Sequence, residues 1–135
     1  MYEFLDHPSE ALIRVTGSTI DEIFIDSGRA LFELMTDTRK LRADLEFEIA
    51  LSAPDKLLLL IDWLNRLIFL HEVENVFLCE FRVHVAPGWN LSANVGGQKI
   101  AADQEKRLHA KSATYGQLQW NETPQGHQTQ FVIDV

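Results

Sequence analysis

The residues best suited to chemistry in this chain are carboxylates gathered toward its two extremes. Asp6 and Glu10 flank His7 in the segment DHPSE, and Asp134 directly precedes Val135, whose terminal carboxylate adds further oxygen donors. An oxygen-rich set of this kind suits a hard divalent cation such as Ca²⁺ or Mg²⁺ better than zinc. Two readings of these residues are open. Either Glu10 and Asp134 are solvated charges of a turn and a chain end, or the last strand runs beside the first and three or four oxygens converge. His7 precedes Pro8, which pushes it out of helical space, so hydrogen bonding within a loop competes with ligation. Lys111, between Ala110 and Ser112, reads as a strand lysine that projects toward an anion or partner, or that keeps a wet face soluble.

Other catalytic signatures are missing. No HExxH, glycine-rich phosphate loop, GxSxG elbow or paired CxxC occurs. His71, His84, His109 and His127 are scattered at no recognisable ligand spacing. Cys79 is the one cysteine and lies in an apolar run, where it reads as a small buried hydrophobe rather than a reactive thiol. A lone cysteine builds no internal disulfide framework, and MYEFLDHP has no basic region followed by an apolar run, so a reducing cytoplasm is expected. Twenty acidic against 12 basic residues give a net charge of −8, the wrong sign for a chain that grips phosphate backbones unaided. Such a surface confers solubility, or draws the chain toward a basic partner protein.

The elements that must position these residues are legible from periodicity. Asp55 to His71, DKLLLLIDWLNRLIFLH, repeats apolar residues at helical spacing over most of its surface and must be buried. Asp62, Asn65 and Arg66 fall mid-span and make it a core helix rather than a membrane span. An earlier amphipathic helix, capped by Ser18 or Thr19, turns Ile20, Ile23, Phe24, Ser27, Leu31, Leu34 and Met35 to one side. Strands are expected over Leu12–Val15, Leu45–Leu51, Val76–Val85, Trp89–Val95 (closed by Gly96-Gly97), Leu108–Leu118 and Gln128–Val135. Hairpins following two helices do not make a doubly wound fold. The expected class is α+β: one domain over residues 1–135, a two-layer sandwich of mostly antiparallel sheet with two helices packed on one face.

Taken together, DHPSEALIRVTGSTIDEIF, ALFELMTDT, LLLLIDWLNRLIFL, HAKSATYGQLQW and the ending FVIDV resemble the archease family in order and approximate spacing. The family pattern has His-Thr-Ala-Asp after an Asp, Leu-Met-x-Asp, Trp-Leu-Asn, Lys-Ala-x-Thr-Tyr, and a final Asp plus one aliphatic residue. This chain offers Asp6-His7, Leu34-Met35-Thr36-Asp37, Trp63-Leu64-Asn65, Lys111-Ser112-Ala113-Thr114-Tyr115 and Asp134-Val135. It departs with Pro8-Ser9 for Thr-Ala, Glu10 for Asp, and Gly116 where His is common.

The resemblance implies a non-catalytic protein cofactor of the GTP-dependent tRNA-splicing RNA ligase, one that promotes the ligase's guanylylation and multiple turnover. It also implies a divalent metal, Ca²⁺ or Mg²⁺, held by Glu10, Asp134 and the Val135 carboxylate, with Asp6 and His7 as nearby support. Lys111 would serve the ligase contact or phosphate handling. Two other classes compete: a metal-dependent phosphoester or nucleotide hydrolase using Glu10 or Asp6 as general base, and a chaperone-like interaction domain without metal.

Overall fold

The computed structural model describes residues 1–5 and 10–135. In chain order these form β1 (Tyr2–Leu5), β2 (Glu10–Gly17), α1 (Ile20–Met35), a 3₁₀ turn (Thr38–Lys40), β3 (Leu45–Ser52), α2 (Lys56–Glu74), β4 (Val76–Ala86), β5 (Asn90–Lys99), β6 (Ser112–Thr123) and β7 (Gly126–Asp134). Among the described residues every strand pairing is antiparallel, and the fold is α+β as expected. The strands divide between two sheets, a four-stranded one ordered β1-β2-β7-β6 and a three-stranded one ordered β3-β5-β4. Periodicity reveals that a strand has one apolar face but not which sheet it joins. Helix α1 packs on β4 and β2, and α2 on β6, β4 and β3, so both helices touch both sheets.

Local chemistry sets the helix ends. Thr19 caps α1, its Oγ1 accepting the Glu22 N–H at 3.2 Å, while Glu22 Oε2 accepts the Ser18 N–H at 2.8 Å. Asp55 does the same for α2 through the Leu58 N–H at 2.9 Å. That helix runs past His71 to Glu74, and Asn75, at φ 55°, ends it by donating its N–H to the His71 carbonyl. Trp63 is fully buried and its indole Nε1–H donates to the Phe24 carbonyl at 2.9 Å, which fixes α2 against α1. Burying a side chain of that size stabilises the fold by about 3 kcal/mol.

Two strand boundaries differ from the periodicity reading. Gly96-Gly97 does not close β5, which continues to Lys99. A Cβ at Gly97 would lie 2.0 Å from the Phe77 carbonyl oxygen, so this glycine permits a close backbone approach beside the irregularity at Leu78/Glu80 in β4. The strand expected over Leu108–Leu118 is instead β6, Ser112–Thr123. The Arg107 and Leu108 N–H groups are taken by the carbonyls of Met35 and Leu34 at 2.8 and 3.2 Å, so this stretch closes the C-terminal end of α1 and cannot pair in a sheet. Phe77 is core, whereas Trp89 is a half-buried turn residue with φ 58°. Among the described residues, no helix is long and apolar enough to cross a membrane.

Candidate functional site

The C-terminal strand does run beside the N-terminal one. β7 lies between β2 and β6, and the register sets Asp134 opposite Glu10 on one side and opposite Ser112 on the other. Directly opposed residues in an antiparallel pair hold their Cβ atoms about 4.5–5.5 Å apart. Glu10, Asp134 and Val135 are all half-buried. Like charges placed opposite one another repel, and among the described residues no cation pairs with either carboxylate.

Lys111 is the residue before β6 rather than within it. Its backbone N–H donates to the Asp134 carbonyl at 2.8 Å, and the residue is exposed. Asp6 and His7 lie outside the described residues. Among the described residues, no group of three or more His, Cys, Asp or Glu gathers as a metal cluster. The described side chains therefore bring together two carboxylates, Glu10 and Asp134. Two anionic oxygen donors, with no cation paired to them among the described residues and followed directly by Val135, are of the chemical type a hard divalent ion takes and offer nothing soft for zinc or copper.

An internal clamp holds this row in place. Asn65 on α2 accepts the Ala113 N–H at 2.8 Å through Oδ1 and donates through Nδ2 to the Ala113 carbonyl at 3.3 Å. The two bonds fix the start of β6, one residue from the Ser112–Asp134 pair. By residue type alone Asn65 is a polar group too costly for a membrane, and its place in the Trp-Leu-Asn motif does not say what it bonds. Its signal is a primary amide in a mostly apolar helix, which must find a backbone partner when covered.

A second anchor lies at the far end of α1. Thr36 is buried and its hydroxyl donates to the Glu105 carbonyl at 2.7 Å, while Arg107 donates to the Glu33 carboxylate at 2.8 Å. Beside it Arg39 forks onto Asp37, Nε to Oδ1 and Nη2 to Oδ2, each at 3.0 Å. That fork holds the Asp37 carboxyl down at about 2. Cys79 is half-buried, and burial pushes its thiol up, followed in effect by the Glu80 and Asp44 charges, so it is no ready nucleophile.

Residues 2–135 match the model of the Archease protein family (MTH1598/TM1083). The chain belongs to the archease family. It is 32% identical over 139 residues to Protein archease of Methanosarcina barkeri, covering 99% of this chain and 95% of that one. The Protein archease of Methanothermobacter thermautotrophicus is 30% identical over 121 residues, 87% and 86% of the two chains. In fold, the chain is similar to the solution structure of Methanobacterium thermoautotrophicum protein 1598, with a TM-score of 0.85 at 24% identity over 99% and 98% of the two chains. It is also similar to the crystal structure of an archease, possible chaperone, from Thermotoga maritima, with a TM-score of 0.69 at 17% identity over 97% and 94%. The archease motif positions therefore fall on named contacts: Trp63 and Asn65 on the helix lock and the β6 clamp, Thr36 and Asp37 on the α1 anchor, Lys111 and Asp134 on one backbone bond.

Proposed function

We propose that this archease-family chain is a non-catalytic cofactor of a GTP-dependent tRNA-splicing RNA ligase, acting from the strand end that carries Glu10, Asp134 and Val135. The observation that supports it is the register pairing Glu10 with Asp134 in a member of this family. Glu10, Asp134 and the Val135 carboxylate would hold a divalent ion, Ca²⁺ or Mg²⁺, whose charge would offset that of a nucleotide triphosphate during nucleotidyl transfer.

A net charge of −8 suits docking on a basic protein surface and leaves RNA to be held by the ligase. Lys111, exposed and joined through its backbone to Asp134, meets the ligase or a phosphate. The clamp from Asn65 and the backbone bond from Lys111 keep Asp134 in place before any partner arrives, so docking spends little on ordering the site. Action within the cytoplasm belongs to the same reading.

The test is single-turnover guanylylation of a purified splicing ligase with GTP and a divalent ion. Four conditions are compared: wild-type chain, Glu10→Ala, Asp134→Ala, and no addition. Acceleration by the wild type and its loss in both folded variants is the expected result. No effect of the wild type on a cognate ligase overturns the proposal.

A further inference from the structure

The two sheets have four outer edges, and three of them are blunted. β1 is only four residues long. β6 breaks register between Thr114 and Gln119. On β4, the Val85 N–H is taken by Asp21 Oδ1 at 2.8 Å, and register shifts at Leu78/Glu80. β3 differs. It ends the order β3-β5-β4, pairs with β5 without interruption over all eight residues, and contains no Pro, Gly or Lys. Among the described residues, no hydrogen bond from outside that pairing reaches the backbone of residues 45–52. A long, regular, unprotected edge is a template for another strand.

We propose that β3 is the docking edge for a second copy of this chain, the two strands pairing antiparallel about a twofold axis at Ile49. The sequence LEFEIALS matches itself in that register. On the inner face Ile49 meets its own copy, and half-buried Phe47 meets half-buried Leu51 of the second copy. On the outer face each Glu48 meets Ala50 and each Glu46 meets Ser52, so no carboxylate opposes another. Moving the axis to Glu48 sets Glu48 against itself, and moving it to Ala50 brings Pro54 into the pairing. The Ile49 register is the one that keeps both length and charge in order. Seven residues, 46 to 52, at about 3.4 Å each give roughly 24 Å of paired edge and a continuous six-stranded sheet. A foreign strand would need only backbone groups, whereas both faces of β3 complement β3 itself. Two chains of −8 repel at long range, so association strengthens as salt is added.

Ala50 is exposed on the outer face and is not part of the hydrophobic core, so it carries the test. Sedimentation velocity is run on wild type, Ala50→Glu and Ala50→Lys over a range of concentrations and salt, with circular dichroism to establish that each is folded. Wild type is expected to move from 15.4 kDa toward twice that mass as concentration and salt rise. Ala50→Glu, which sets two like-charged pairs across the axis, should need roughly tenfold more protein to dimerise. Ala50→Lys should need less than wild type. Monomers for both wild type and Ala50→Lys throughout overturn the proposal. So does a dimer indifferent to either substitution, which must use another surface.

Discussion

Asn65 offers the sharpest probe of how α2 supports the candidate site. Its side chain satisfies both backbone groups of Ala113, which is 5% exposed, so water cannot replace it readily. In N65A the N–H and C=O of Ala113 lose their partner. Stranding such groups costs about 1–3 kcal/mol each, and partial relaxation brings the sum to about 2–4 kcal/mol. At about 3–4 °C per kcal/mol for a domain of this size, the melting temperature should fall by about 6–16 °C. N65D isolates the polar terms, because its shape is unchanged. A carboxylate still accepts the Ala113 N–H but sets a second acceptor against the Ala113 carbonyl, whereas the protonated acid can donate there. Its folded pKa therefore rises above the unfolded value. The stability supplied by that proton is fully present below the ordinary carboxylate range and is lost as pH rises through the raised folded value. Denaturant unfolding of both variants between pH 4 and 8 measures this. An N65A within about 0.5 kcal/mol of wild type, or an N65D penalty flat across that range, refutes the clamp.

Asp37 titrates at about 2 because Arg39 bonds its carboxylate, so its contribution is present above the ordinary 3.8 and lost as pH falls toward 2; acid unfolding of Asp37→Asn should lack that portion of the pH dependence. Gly97→Ala drives a methyl onto the Phe77 carbonyl and should destabilise by more than about 2 kcal/mol, while Gly116→Ala, with nothing within 4 Å, should leave the thermal melt within about 0.5 kcal/mol of wild type. Calcium or magnesium at a hundredfold its dissociation constant should stabilise wild type by about 2.7 kcal/mol in a thermal melt; Glu10→Ala and a peptide extension after Val135 should each diminish that gain.

The helices were the most legible parts of the chain. α1 and α2 bury apolar stripes long enough for a 3.6-residue period to dominate, and Thr19 and Asp55 announce their starts. Strand limits were harder, since Gly97 serves a close approach where a turn was expected, and Leu108 looks like strand until the α1 carbonyls claim its backbone. The carboxylates Glu10 and Asp134 could be named from the sequence, but their opposition is a matter of register, which depends on how residues more than a hundred positions apart pair. Asn65 and Thr36 stand in motifs of the family pattern, but the bonds they make are not legible there because their partners are backbone groups, and any residue's backbone looks alike in a sequence.

The place of β7 in its sheet bears on how the chain is made. It comes last among the strands yet lies between β2 and β6. A chain emerging in order from residue 1 can form the β3-β5-β4 sheet and pack both helices while the inner edge of β2, with Ala11, Leu12 and Ile13, still has no neighbour. That edge closes only when residues 126–134 are free to insert, a step of high contact order and hence slow. During that interval the open apolar edge is the part of the molecule most exposed to mispairing with other chains. The carboxylate row is then assembled by the same insertion that seals the sheet, so the site and the finished fold appear together.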